Sequence, residues 1–178
     1  MTSSHPRSTA LLACAFLLAV ATANLVTAHF AARGHPEASV VTAFALVSFG
    51  FVARDRLHDA WSRHRALKLG ALIAGGALIA CLSTPGAGRV AWASCAAFAA
   101  SETLDAIAYQ LARRRSWLAR CNGSNVVGAL VDSSVFVAVA FPGFLVSVAA
   151  EQACAKVAGG LLMSLALVPP RTRRLVPA

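Results

Sequence analysis

The chain has 178 residues, of which 58% are hydrophobic and only 13% charged, and its net charge is +9. Soluble domains carry about 25% charged residues, and the apolar residues here gather into runs approaching the roughly 20 that a bilayer-crossing helix needs, which leaves no room for a separate soluble domain. The basic residues sit in short clusters between those runs, as in cytoplasmic loops and not as in a nucleic-acid groove.

The expected spans, in chain order, are 9–30, 38–53, 67–82, 90–111, 126–141 and 144–168. Arg7, the run ALLACAFLLAV and Ala21-Thr22-Ala23 imitate a signal peptide with its cleavage site. The apolar stretch continues to Phe30, however, and removing it would leave a number of spans at odds with the loop charges, so it is read as an uncleaved first helix. That helix carries Asn24, and its Ala15-x-x-x-Ala19-x-x-x-Ala23 spacing suits close packing on a neighbour. The second span runs into ARDRLHDAWSRHR, residues 53–65. This stretch is either a solvated turn on the membrane surface or, through Arg54 and Asp55, the closure of the inner mouth of a cavity.

In the fourth span Ser94, Phe98, Ser101, Asp105 and Tyr109 recur at helical spacing, with Glu102 beside them, so they form one stripe. In the fifth, Asn125, Gly128 and Asp132 share a face with Ser133 adjacent, and the sixth supplies Glu151, Gln152 and Lys156. A carboxylate at the centre of a membrane helix costs about 2.5–3.5 kcal/mol on insertion scales. These acids are therefore expected to face inward, onto a cavity or onto each other. Simpler uses compete: Glu102 and Asp105 pairing with Arg113 to Arg115, Asp132 pairing with Lys156, Asn24 and Asn125 joining helices, Tyr109 anchoring at the interface.

Breakers separate the spans at Arg33-Gly34-His35-Pro36, Ser83-Thr84-Pro85-Gly86, Asn122-Gly123, Pro142-Gly143 and Pro169-Pro170. Thirteen basic residues, Arg7, Arg54, Arg56, Arg63, Arg65, Lys68, Arg113, Arg114, Arg115, Arg120, Arg171, Arg173 and Arg174, then fall on one side of the membrane, against Arg33 and Arg89 on the other. The positive-inside rule places both termini in the cytoplasm. The expected class is an all-α integral membrane protein with six transmembrane helices. Its five cysteines are scattered without C-x-x-C pairs, so no zinc site, disulfide framework or cofactor is expected.

Three stretches resemble the queuosine-precursor transporter family, also called vitamin-uptake-like transporters. Residues 21–61 supply Asn24 and Arg54-Asp55-x-Leu57-His58. Residues 93–114 supply Ala93-Ser94-x-x-Ala97-Phe98-x-x-Ser101-Glu102-x-x-Asp105, and residues 120–141 supply Arg120-x-x-x-Ser124-Asn125-x-x-Gly128-x-x-x-Asp132-Ser133-x-x-Phe136. Lys156 matches a family lysine. The resemblance implies import of a 7-deazaguanine base such as 7-cyano-7-deazaguanine across the cell's inner or plasma membrane. It also implies a binding set drawn from Asn24, Arg54, Asp55, Phe98, Glu102, Asp105, Tyr109, Asn125, Asp132, Phe136 and Lys156. The base presents N1–H and a 2-amino group as adjacent donors, which Glu102 or Asp132 could accept with two carboxylate oxygens. Asn24 or Asn125 would read its O6 side, and Phe98, Tyr109 or Phe136 would pack on the ring.

The competing role is the substrate-capturing subunit of an energy-coupled vitamin importer, with ATPase subunits as partners; a homo-oligomer is equally open. No H-E-x-x-H or G-x-S-x-G sequence occurs, so no enzyme is expected. The same residues serve a proton-coupled carrier and a facilitator.

Overall fold

Charged residues interrupt the apolar pattern at Arg54, Glu102 and Lys156, and in each case the helix continues through them. The computed structural model describes residues 6–31, 33, 38–83, 88–140 and 146–168, and every regular element among them is helical. Helix α1 is Pro6–Ala31. Helix α2, residues 38–60, is built of Ala38–Thr42, a wider π-helical turn Ala43–Val47, and Ser48–Ala60. Then come α3 (Arg65–Leu82), α4 (Arg89–Leu111), α5 (Trp117–Ala140) and α6 (Val146–Ala166). The breakers at 34–36, 84–86, 142–143 and 169–170, the basic residues beyond 168, and the edges of the last two expected spans at 141 and 144–145 lie outside the described residues.

Among the described residues, three helices are long and apolar enough to cross a membrane: Arg7–Phe30, Arg65–Leu82 and Trp117–Ala140. The protein is inverted relative to a soluble domain. Leu11, Leu67, Leu82, Trp92 and Leu111 are exposed, whereas Arg54, Asp55, Glu102 and Asp105 are buried. Water would not tolerate that apolar surface, but hydrocarbon would, and hydrocarbon also drives the charges inward. This is a membrane protein.

Phe16, Val20, Ala53, Leu57, Leu72 and Ala80 form one core where α1, α2 and α3 meet. Val52, Tyr109, Trp117 and Cys121 form a second between α2, α4 and α5. Short residues set how closely helices approach. Gly128 on α5 lies against Asp105, and Gly76 on α3 against the Phe98 ring, each too close for an added methyl. The turn before α5 is capped by Ser116, whose hydroxyl accepts the Ala119 N–H at 3.3 Å. Arg89 ties the start of α4 to the end of α5 by donating to the Val139 carbonyl at 2.8 Å.

The π-helical turn marks where α2 meets α6. Ser48 Oγ lies 3.0 Å from the Ala43 carbonyl and 2.8 Å from that of Lys156, so one hydroxyl proton is shared between acceptors on the two helices. The Phe44 carbonyl lies directly against Gly159, and a Cβ there would meet that oxygen and sit 2.6 Å from Ser48 Oγ. Backbone cannot yield as a flexible side chain can. Gly159→Ala is therefore expected to cost about 1–3 kcal/mol by overpacking and to lower the melting temperature in detergent by several degrees. An unchanged melting curve would show that α2 and α6 are not in contact through this turn.

Candidate functional site

Three carboxyls converge on one guanidinium. Arg54 Nε lies 3.2 Å from Glu102 Oε2, and Arg54 Nη2 lies 2.6 Å from Asp105 Oδ2 and 3.1 Å from Asp55 Oδ1. All four side chains are at most 2% exposed. The geometry follows from helical spacing: Glu102 and Asp105 sit one turn apart on α4 and face α2, while Gly128 lets α5 close over Asp105. A planar guanidinium with five donors can serve several carboxylates at once, which an ammonium cannot do with the same geometry. Arg113, Arg114 and Arg115 are exposed on the following turn, so the acids pair across helices and not along their own.

A second ion pair lies one layer away. Lys156 Nζ is 2.7 Å from Asp132 Oδ2, donates to Ser133 Oγ at 2.8 Å, and lies 3.4 Å from Gln152 Oε1. Ser101 Oγ donates to Asp132 Oδ1 at 3.3 Å. This pair borders a cavity of about 100 Å³. Its polar lining includes Asn24, Thr42, Glu102, Asp132, Gln152 and Lys156, and Phe98 and Phe136 supply aromatic walls. Glu102 thus belongs to both features: Oε2 faces Arg54, and the side chain lines the cavity.

The remaining candidates lie elsewhere. Arg54, Asp55 and Asp105 form the floor behind Glu102. Tyr109 is fully buried and donates to Asp59 Oδ2 at 2.7 Å. Arg120 Nη2 donates to Asp59 Oδ1 at 3.0 Å, and its guanidinium lies 4.0 Å from the centre of the Tyr109 ring. His58 stands edge-on to the same ring at 5.1 Å. This second knot closes the end of the bundle that carries Arg63, Arg65 and Arg113 to Arg115. Burial would raise the Asp59 carboxyl, but the neighbouring His58 ring and the hydrogen bonds from Tyr109 and Arg120 outweigh it and hold the group below its ordinary value. Asn125 packs on Gly160 and Cys121 away from the cavity. Asn24 lines the cavity and donates to the Val20 carbonyl at 2.9 Å.

Several lining residues carry little sequence signal. Thr42 is paired with Thr27 at 2.9 Å, and short hydroxyls of this kind occur throughout membrane helices as interhelical links. Gln152 stands four residues before Lys156, on the same helical face, and that spacing could have placed it in the set. Asp59, one turn after Asp55, could have been found the same way. Among the described residues no group of three or more His, Cys, Asp or Glu side chains is placed to hold a metal ion.

A helical body with an apolar exterior, a polar cavity and charged side chains turned inward is the build of a membrane transporter. The model of the family described as "Putative vitamin uptake transporter" matches residues 7–169, and the chain belongs to that family. No curated protein and no solved structure matches the chain.

Proposed function

We propose that the protein imports a 7-deazaguanine base, such as the queuosine precursor 7-cyano-7-deazaguanine, across the cell's plasma or inner membrane. In this reading all six helices cross the bilayer, and both termini lie in the cytoplasm. Charge asymmetry supports the orientation. Arg63, Arg65 and Arg113 to Arg115 cluster at the end closed by the Tyr109–Asp59–Arg120 knot, so the cavity lies in the outer half.

One observation carries the reading: Glu102 and Asp132 share a cavity with Phe98 and Phe136. A flat base needs aromatic walls and a paired acceptor for its N1–H and 2-amino donors. Each carboxylate oxygen has two lone pairs, so the Arg54 contact to Glu102 Oε2 leaves capacity for such a bond. Asp132 is already held by Lys156 and Ser101, which makes Glu102 the stronger candidate for the base edge. Asn24 and Lys156 line the same cavity and in this reading donate to O6. Alternating access around a polar site near the bilayer midplane accommodates this arrangement.

The test is uptake of labelled 7-cyano-7-deazaguanine by cells that cannot make it. Wild type is expected to accumulate the base, and Glu102→Gln and Asp132→Asn to fall at least roughly tenfold at equal membrane abundance, the effect of losing one charge-assisted hydrogen bond of about 1.5–3 kcal/mol. A well-expressed wild type that takes up none of the base would overturn the substrate. Co-purification with ATPase subunits would replace the carrier by the capturing subunit of a larger importer.

A further inference from the structure

Charge accounting in the interior leads beyond the choice of substrate. Arg54 faces three carboxyls and Lys156 faces one, so four carboxyls share two cations. The groups around Glu102 come from every neighbouring helix that bears charge there: Arg54 and Asp55 from α2, Asp105 from α4 itself, Asp132 from α5, and Lys156 from α6. No further cation among the described residues reaches this layer, because Arg120 is engaged by Asp59 at the closed end. Fully ionised, the interior would hold an excess of two negative charges away from water, and each unpaired charge there costs several kcal/mol. The cluster is neutral only when it also holds protons.

Its layout gives those protons a direction. Glu102 is the one member of the Arg54 cluster that also lines the cavity. Behind it, Asp105 and Asp55 share a single nitrogen, Arg54 Nη2. One turn further along α2 stand His58 and then Asp59, whose carboxylate is 36% exposed at the closed end. Titratable groups thus run from cavity to cytoplasmic face along the facing sides of α2 and α4, as in the carboxylate and histidine chains of pumps and transporters.

Building on the import reading above, we propose that Glu102 is a proton-binding site through which base import is coupled to proton entry. With the cavity open to the outside, Glu102 takes a proton from water. The neutral carboxyl meets the base by accepting from N1–H and donating its own O–H to O6, in place of the two-acceptor pairing open to the carboxylate. With the cavity open to the inside, the base leaves and the proton passes by way of Asp105 and Asp55 toward His58 and Asp59. The Glu102 carboxylate then returns to Arg54 Nε. One proton accompanies each base, and no bond in the base is made or broken.

Two measurements on the purified full-length protein test this. In liposomes, labelled 7-cyano-7-deazaguanine is first followed by counterflow without a pH gradient, and then by net uptake with an alkaline lumen containing a pH-sensitive dye. Coupling predicts a several-fold rise in accumulation with the gradient, its loss on adding a protonophore, and acidification of the lumen when base is added. Counterflow that proceeds while accumulation ignores the gradient and the lumen stays unchanged would overturn the proposal and leave the substrate standing. Absence of counterflow would instead remove the substrate. In that event infrared spectroscopy decides the proton site without any base. A protonated-carboxyl band that disappears as pH is raised, and that is missing in Glu102→Gln, supports the proposal. Its absence from wild type overturns it.

Discussion

Arg54→Met is expected to be the most damaging single substitution in the protein, leaving little material that elutes as a single species from size exclusion in detergent. The methionine fills a similar volume, so the loss is electrostatic. Three carboxyls within 2.6–3.2 Å of the guanidinium would be left buried without a counter-charge. Removing one partner of a buried ion pair typically costs about 3–5 kcal/mol, a large share of the roughly 5–15 kcal/mol that holds a folded protein together. Arg54→Lys is expected to recover only part of the loss, because an ammonium cannot reach Glu102 from one nitrogen while sharing another between Asp55 and Asp105. The informative companion is Arg54→Met combined with Asp55→Asn and Asp105→Asn, which removes two of the three carboxylate charges along with the cation and leaves only Glu102, the member that borders the cavity. Recovery of a monodisperse, cooperatively melting protein in that triple variant would assign the defect to uncompensated charge. A stable Arg54→Met single variant would show that the carboxyls do not depend on this residue.

The same cluster shows what could and could not be read in the sequence. The stripe of Ser101, Asp105 and Tyr109 was legible because side chains on one helical face recur at fixed spacing, and the structure places all three inward. Their partner was not. Charges along the chain make Arg113 to Arg115 the obvious counter-ions for Glu102 and Asp105, whereas Arg54 reaches them from another helix. Only the close approach permitted by residues such as Gly128 determines that pairing, and a glycine announces closeness without naming its neighbour. Apolarity also understated helix length. Residues 54–60 and 117–125 read as loop or flank because they are polar, yet both are helical, with Arg54, Asp55, Ser124 and Asn125 turned inside the protein. For the same reason α4 and α6 fall outside the helices apolar enough to be recognised as spans. Asn24 and Asn125 looked equivalent in the sequence. One lines the cavity and the other packs on Gly160, a difference set by what stands opposite each helix face.

Lys156→Met should separate function from folding, in contrast to Arg54→Met. Lys156 holds Asp132, Ser133 and Gln152 at the cavity wall, so the substitution releases the groups that shape the site. Asp132, however, is 17% exposed and borders the cavity, where water can reach it once the lysine is gone. The desolvation penalty that makes an orphaned carboxylate so costly in the Arg54 cluster is therefore largely avoided. A melting temperature within a few degrees of wild type is expected, together with a fall in base uptake of roughly 10- to 100-fold, matching about 1.5–3 kcal/mol for lost charge-assisted hydrogen bonds. Adding Asp132→Asn would neutralise what remains, and it is expected to restore any lost stability while leaving uptake low, since the pair's geometry and not merely its charge balance orders the wall. If the double variant instead regained uptake, the lysine would serve only to neutralise Asp132, and the cavity would bind its base through Glu102 and the aromatic walls alone.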